Sequence, residues 1–307
     1  MIANFFNKTT PVTIFNIVVL LFIYCFISIF PQEFKEFSIP FLVKRIIFFF
    51  WLILYLLIVR FIIKKNKLTK DNSYALLLVV IVLGTFPATI FSNTIVFSNI
   101  LLLLSYRKIY SLRSGINTKL KLFDAAFWIG IATLLYSWSI FYMLLIYLGI
   151  IIYQKISLKN LLIPIVGLVT PLLIYFTYNF YYDNLAIFYS RFNYEINLNF
   201  EAYNSLKYLI PLLFLVFILL WSFIIVTPKI VLISNNLKFS WNVLIIHLII
   251  SMIVIIVAPL KNGSELFYLA FPSAIIITNF LEKSKSKIVK NVILYLFLIL
   301  SISVYFL

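Results

Sequence analysis

The sequence is poor in charged residues and in the residue types that build metal and redox sites. Only 11% of its 307 residues are charged and 64% are hydrophobic, and it contains one cysteine and one histidine. A soluble domain is usually about 25% charged and about 45–50% apolar. A water-soluble chain of this composition would therefore lack the polar side chains needed to cover its surface. The single Cys25 excludes an intrachain disulfide and a multi-cysteine metal site.

Several short functional motifs are also missing. The sequence contains no GxxxxGK[ST], GxGxxG, HExxH or GxSxG. This disfavours an ATP-driven pump, a nucleotide-binding domain and a membrane zinc protease. The apolar segments are nearly free of charge, whereas ion-coupled transporters usually carry ionisable groups or broken helices at mid-bilayer. His247 has no acidic partner on its own segment, so we expect a neutral packing or hydrogen-bonding residue.

Repeated apolar runs have the length of membrane-spanning helices. Runs of about 17–25 residues match about 30 Å of hydrocarbon, and helices satisfy their own backbone polar groups in lipid. The sequence predicts an all-α, polytopic integral membrane helical bundle, a single transmembrane domain over residues 1–307. About eleven crossings are expected, at 12–30, 46–63, 74–91, 94–106, two within 123–153, 161–180, 208–226, 241–258, 265–281 and 289–307. The run at 123–153 is split at Tyr136-Ser137-Trp138-Ser139, which resembles an interfacial break.

The distribution of basic residues predicts the orientation. With the N-terminus inside and the C-terminus outside, nineteen of the 25 Lys and Arg residues fall on the inner side. The six on the outer side are Lys35, Lys44, Arg45, Arg191, Lys207 and Lys261. The net charge of +16 is therefore attributed to cytoplasmic loops and not to nucleic-acid binding. We expect a multi-pass protein of a bacterial inner (cytoplasmic) membrane that contacts membrane lipids.

Most acidic residues map to the outer side. They are Glu33, Glu36, Asp183, Glu195, Glu201 and Glu265. Acids contribute little to the topology rule, so their position indicates a polar working face, although outer loops also need some polar residues. The longest segment that lipid would not accept, residues 181–207, lies on the same side and is rich in Tyr, Phe and Asn.

Two short outer segments carry the candidate site residues. Glu33 and Glu36 follow the first crossing and could act as a general base or hold a divalent ion; a solvated loop is the alternative. Lys261 and Glu265 flank a glycine turn before an aromatic helix, where Lys261 could bind a lipid phosphate. Alternatively, Glu265 caps that helix. Lys44 and Arg45 could bind phosphate at the start of the second crossing.

Three segments together resemble the GT-C superfamily of glycosyltransferases, which use polyprenyl-phosphate sugars. They are the acidic loop Gln32-Glu33-Phe34-Lys35-Glu36, the basic loop and paired helices over residues 119–173, and the late loop with its aromatic helix over 261–283. The chain resembles still more closely an uncharacterised family of bacterial multi-pass proteins. Unlike the superfamily, whose first loop usually carries an Asp-based pair, this loop offers glutamates.

The resemblance implies a catalytic site at the outer face. Glu33 or Glu36 would be the base or metal ligand, and Lys44, Arg45, Arg191 or Lys261 would hold the phosphate of a polyprenyl-phosphate-linked sugar, with Glu265 beside it. The loop at 181–207 would shape the acceptor site. The sequence identifies no cofactor and leaves a metal requirement open. Two other functions stay open: a non-enzymatic subunit of an envelope or secretion complex, which would bind other membrane proteins, and a transporter.

Overall fold

The structure is a computed structural model that describes residues 1–28, 39–192, 194–233 and 235–306, with backbone only for 39–42, 91, 231–233, 235 and 236. The described part is all-α and contains no β-strand. Its helices are α1 Ile2–Phe5, α2 Pro11–Ile27, α3 Ile39–Asn66, α4 Tyr74–Thr85, α5 Ala88–Phe91, α6 Asn93–Tyr110, α7 Thr118–Leu135, α8 Met143–Ile152, α9 Leu158–Tyr181, α10 Leu185–Ser190, α11 Leu206–Ile233, α12 Asn235–Val257, α13 Phe267–Lys283 and α14 Lys287–Ser303.

Six segments in the described part are long and apolar enough to cross a membrane. They are Val43–Asn66, Asn93–Ser114, Leu158–Tyr181, Leu206–Ile230, Leu237–Val257 and Ser264–Lys283. Shorter apolar helices cover Pro11–Ile27, Tyr74–Thr85 and Ser137–Ile152. These lengths and compositions indicate a membrane protein. The predicted count of eleven crossings, the orientation and the single transmembrane domain stay predictions.

Local sequence signals explain where several helices begin and break. Thr10 caps α2 in a reciprocal capping box with Thr13, and Pro11 occupies the first helical position. Helix α4 ends at Thr85 because Pro87 disfavours helical geometry at Phe86, whose φ of −119° and ψ of 85° are not helical. The predicted break in the run at 123–153 is confirmed. Tyr136 is extended and a 3-10 turn at Ser137–Tyr142 separates α7 from α8.

The chain divides into two compact units, each built from separate stretches. The first unit comprises Met1–Asn93, Asn199–Leu232 and Lys261–Leu307. Its centre is α4, whose residues are all buried and which packs against α13, α14 and α2. Helix α13 is buried from Phe267 to Leu281. Helices with no exposed face must be enclosed by other elements of the protein.

The second unit comprises Thr94–Leu198 and Ile233–Leu260. Its largest helix–helix contact joins α7 and α9. A Cβ on Gly167 would lie 2.6 Å from the carbonyl oxygen of Phe123, and one on Gly130 would lie 2.5 Å from Cγ of Pro171. Small residues allow backbones to approach this closely in membrane proteins. Helices α7 and α9 therefore pack closely at Gly167 and Gly130.

Candidate functional site

The loop that joins α12 to α13 has a tightly specified backbone. Gly263 has a φ of +89°, and a Cβ there would lie 2.6 Å from a ring carbon of Tyr208, so only glycine fits. The side-chain oxygen of Asn262 accepts hydrogen bonds from the Ser264 N–H at 3.1 Å and from its hydroxyl at 2.7 Å. The Tyr208 hydroxyl donates to the Asn262 carbonyl oxygen at 2.9 Å. These contacts hold the two residues that flank the turn, Lys261 and Glu265, in defined positions.

Glu265 is a fully buried acid in the 3-10 turn Ser264–Leu266, directly before α13. Its Oε1 accepts a short hydrogen bond from the Tyr203 hydroxyl. Its Oε2 is buried and forms no hydrogen bond within the part of the chain that the structure describes, while the backbone N–H groups of Gly263 and Glu265 lie near the carboxyl group. Most buried polar atoms in proteins have a partner, and a buried acceptor without one is costly by about 1–3 kcal/mol. The second oxygen therefore has unused hydrogen-bond acceptor capacity.

Lys261 is nearly buried beside this acid. Its side chain is only 8% exposed, and its Nζ lies 4.9 Å from the ring centroid of Phe200. Burial lowers the pKa of the Lys261 ammonium, and the negative charge of Glu265 opposes that shift. Burial, with Glu265 adding to it, raises the pKa of the Tyr203 hydroxyl, which therefore stays protonated as a donor.

The cluster of Lys261, Glu265, Tyr203, Phe200 and Tyr208 combines an acid, a cation and aromatic surface. A carboxyl oxygen can accept a hydrogen bond from a ligand hydroxyl, and an ammonium can pair with a phosphate or carboxylate. Within the described residues, no group of three or more His, Cys, Asp or Glu side chains is arranged to hold a metal ion. The arrangement is suited to a ligand that carries both hydroxyl groups and a negative charge.

The structure brings together two of the residues singled out from the sequence. Lys261 and Glu265 belong to one cluster in the first unit. Lys44 is exposed and Arg45 half-buried near the start of α3, and Arg191 is exposed at the end of α10 in the second unit. Glu33 and Glu36 lie outside the described residues. The roles assigned to all seven stay predictions.

Sequence reasoning missed the two aromatic partners of this pair. Tyr203 and Phe200 are separated from Glu265 and Lys261 by about sixty residues, with the whole of α11 and α12 between them. The available signal was the aromatic segment at 181–207, which was expected to shape a ligand site but without a named residue.

His247 belongs to the second unit and is packed among tyrosines. It is fully buried, its ring centroid lies 4.1 Å from that of Tyr106, and its Nδ1 lies 3.3 Å from the Tyr110 hydroxyl. The ring of Tyr142 contacts it edge-on. This is the packing and hydrogen-bonding environment that the sequence predicted for the lone histidine.

Comparison with known proteins identifies a family but no activity. A family model described as a family of unknown function, DUF6427, matches residues 8–307. Neither the search of curated proteins nor the search of solved structures found a match. Because the family model spans nearly the whole sequence, this chain is a member of the family of unknown function DUF6427.

Proposed function

We propose that this protein is an integral membrane glycosyltransferase of the GT-C-like kind, which acts on a lipid-linked sugar at the periplasmic face of a bacterial inner membrane. The observation that carries the proposal is the buried Glu265, whose Oε2 forms no hydrogen bond in the described part of the chain while the Lys261 ammonium lies beside it. A sugar supplies hydroxyl donors and a polyprenyl phosphate supplies an anion, so one ligand can contact both groups.

The proposed roles divide between binding and catalysis. Lys261 binds the lipid phosphate, assisted by Lys44, Arg45 or Arg191. Glu265 accepts a hydrogen bond from a sugar hydroxyl, while Tyr203 keeps its carboxyl group in place. Glu33 or Glu36 acts as the base. It takes the proton of the acceptor hydroxyl as that oxygen bonds to the anomeric carbon and the bond from that carbon to the phosphate oxygen breaks.

The test compares strains that lack the gene with strains complemented by single variants. We expect Glu265→Gln, Lys261→Met and the double variant Glu33→Gln/Glu36→Gln to accumulate a lipid-linked sugar and to lose a surface glycan, both measured by mass spectrometry. Lys207→Met is the matched control, because Lys207 is a lysine of the same outer region that lies outside the cluster. Immunoblots of the membrane fraction confirm equal amounts of each variant.

The same strains decide between the proposal and the two other functions predicted from the sequence. Unchanged lipid-linked sugars and glycans in the deletion strain would overturn the glycosyltransferase proposal. A membrane protein that co-purifies in fixed stoichiometry, with unchanged glycans, would support a subunit of an envelope or secretion complex. A defect in solute uptake or export, again with unchanged glycans, would support a transporter.

A further inference from the structure

The first unit contains a basic cavity where α3 ends and α4 begins. Its volume is about 380 Å³, and its walls come from the last turns of α3, the loop that follows and the first turn of α4. Arg60, Lys64, Lys67 and Lys70 line it, with Asp71 as the acid among the lining residues. Four cations and one anion around a space of this size favour a compact, multiply charged anion.

The charged groups at this cavity are not engaged with one another. Within the described residues, the side chains of Arg60, Lys64, Lys67 and Lys70 form no hydrogen bond and no ion pair, and the charge of Lys70 interacts at longer range with that of Glu282, which accepts a hydrogen bond from the Lys70 N–H. The positive-inside rule explains why the loop is basic. It does not explain why Arg60 and Lys64, one turn apart on α3, line the same cavity as the lysines of the loop.

The first turn of α4 adds backbone donors to the same cavity. Ala75 and Leu76 line it, and their N–H groups form no hydrogen bond within the described part of the chain. Ser73, at the N-cap position, does not cap the helix through its side chain, and its hydroxyl lies 3.0 Å from that of Thr13. Free N–H groups and the helix dipole at this end favour an anion, and the basic side chains favour the same ligand.

A second space on α3, lined by both apolar and basic side chains, shares two residues with this cavity. Arg60 and Lys64 also line a second, more open space of about 480 Å³, together with Leu57, Phe61 and Lys65. Leu57 is 52% and Phe61 45% exposed, in a helix long and apolar enough to cross a membrane. A ligand with a charged head and a hydrocarbon chain can therefore contact both surfaces through the same two cations.

We infer that this protein binds the phosphate headgroup of an anionic lipid in the cavity formed by the end of α3 and the start of α4, with the lipid chain along Leu57 and Phe61. Arg60 is the central residue, because its planar guanidinium binds two phosphate oxygens at once. Lys64, Lys67 and Lys70 supply further charge, and the N–H groups of Ala75 and Leu76 contact the phosphate from the opposite wall. On the predicted orientation the site faces the inner leaflet, so it is independent of the Lys261 cluster and of the proposed reaction.

The experiment measures lipid retention by the full-length protein. The protein is reconstituted in phosphatidylcholine bilayers that contain a minor fraction of phosphatidylglycerol, extracted in a mild detergent, and examined by native mass spectrometry. We expect wild-type protein to retain phosphatidylglycerol in preference to phosphatidylcholine. We expect Lys64→Gln/Lys70→Gln to lower that preference by about tenfold, as the loss of a charge-assisted hydrogen bond implies. The matched control is Lys285→Gln/Lys287→Gln, which changes two exposed lysines, one in the loop between α13 and α14 and one at the first position of α14.

The outcomes distinguish lipid binding at this site from general electrostatic attraction and from the binding of free phosphate. Equal losses in the two double variants, or no preference in the wild type, would overturn the inference. A separate arm measures the thermal unfolding of detergent-purified protein in inorganic phosphate and in sodium chloride of equal ionic strength. If phosphate stabilises the protein, Arg60→Gln abolishes that effect and no lipid preference is seen, then the cavity binds free phosphate and the inference of a lipid ligand is overturned.

The variants are chosen to keep the fold intact. Both Lys64 and Lys70 are exposed, so their substitution leaves the packed helices intact. Arg60→Lys conserves the charge and should retain part of the preference for phosphatidylglycerol.

Discussion

Replacement of Tyr203 by phenylalanine tests whether a buried, charged carboxylate organises the candidate site. The substitution removes only the hydroxyl that donates to Oε1 of Glu265 and keeps the ring against Tyr208. Because Oε2 forms no hydrogen bond in the described part of the chain, the loss leaves the acid without its side-chain partner. Tyr208→Phe is the matched control, since the hydroxyl of Tyr208 donates to a neutral carbonyl oxygen, that of Asn262, at 2.9 Å.

The two substitutions should differ in magnitude if the carboxyl group of Glu265 is ionised. A hydrogen bond to a charged group contributes about 1.5–3 kcal/mol, and a neutral one about 0.5–1.5 kcal/mol. We therefore expect Tyr203→Phe to lower the free energy of unfolding by about 2 kcal/mol and Tyr208→Phe by about 1 kcal/mol. In a Glu265→Gln background the acceptor becomes a neutral amide, so the effect of Tyr203→Phe should fall to that of the control. This difference is the coupling free energy of the pair.

The measurement is reversible unfolding of purified protein in mixed micelles, followed by tryptophan fluorescence, for wild type, the three single variants and Tyr203→Phe/Glu265→Gln. Equal losses from Tyr203→Phe in the wild-type and Glu265→Gln backgrounds would refute a charged carboxylate. A loss no larger than that of Tyr208→Phe would refute the importance of the contact.

Three further predictions concern packing, a loop anchor and orientation. Gly167→Ala should destabilise the protein by about 1–3 kcal/mol, because the added Cβ meets the Phe123 backbone. The control Gly149→Ala should cost about 1 kcal/mol or less, because its nearest contact is a side-chain methyl at 3.3 Å. Equal melting temperatures of the two variants would contradict this prediction. Glu282→Ala removes the acceptor of the Lys70 N–H at 2.8 Å, so amide exchange in residues 67–73 should accelerate in mass-spectrometric measurements, whereas an unchanged rate would show that other contacts hold the loop. In a Cys25→Ser background, Lys67→Cys should react with an impermeant maleimide from the cytoplasmic side and Lys207→Cys from the outer side, and the reverse pattern would refute the orientation.

The helices could be predicted well from the sequence because their signals are local. Each predicted crossing coincides with an α-helix or a helix pair, and the break after Leu135 was located by four residues. Several observed helices run past the predicted ends; α7, for example, begins at Thr118, whereas α14 ends at Ser303, before its predicted end. The predicted ends were placed where the apolar residues stop, whereas the helical backbone hydrogen bonds continue into the polar flanking residues. Lys261 and Glu265 were found for the same reason, since they flank one turn.

The partners of these residues could not be predicted, because they come from distant parts of the chain. Nothing near Glu265 in the sequence indicates that Tyr203 donates to it, and the lysines that follow α3 have the same pattern whether they lie in water or line a cavity. The sequence by itself determined an all-α membrane protein, because the lengths and composition of apolar runs suffice for that. Only the tertiary structure decided that Glu265 is enclosed and that Arg60 and Lys64 face the first turn of α4, because burial and cavities arise where helices distant in sequence pack together.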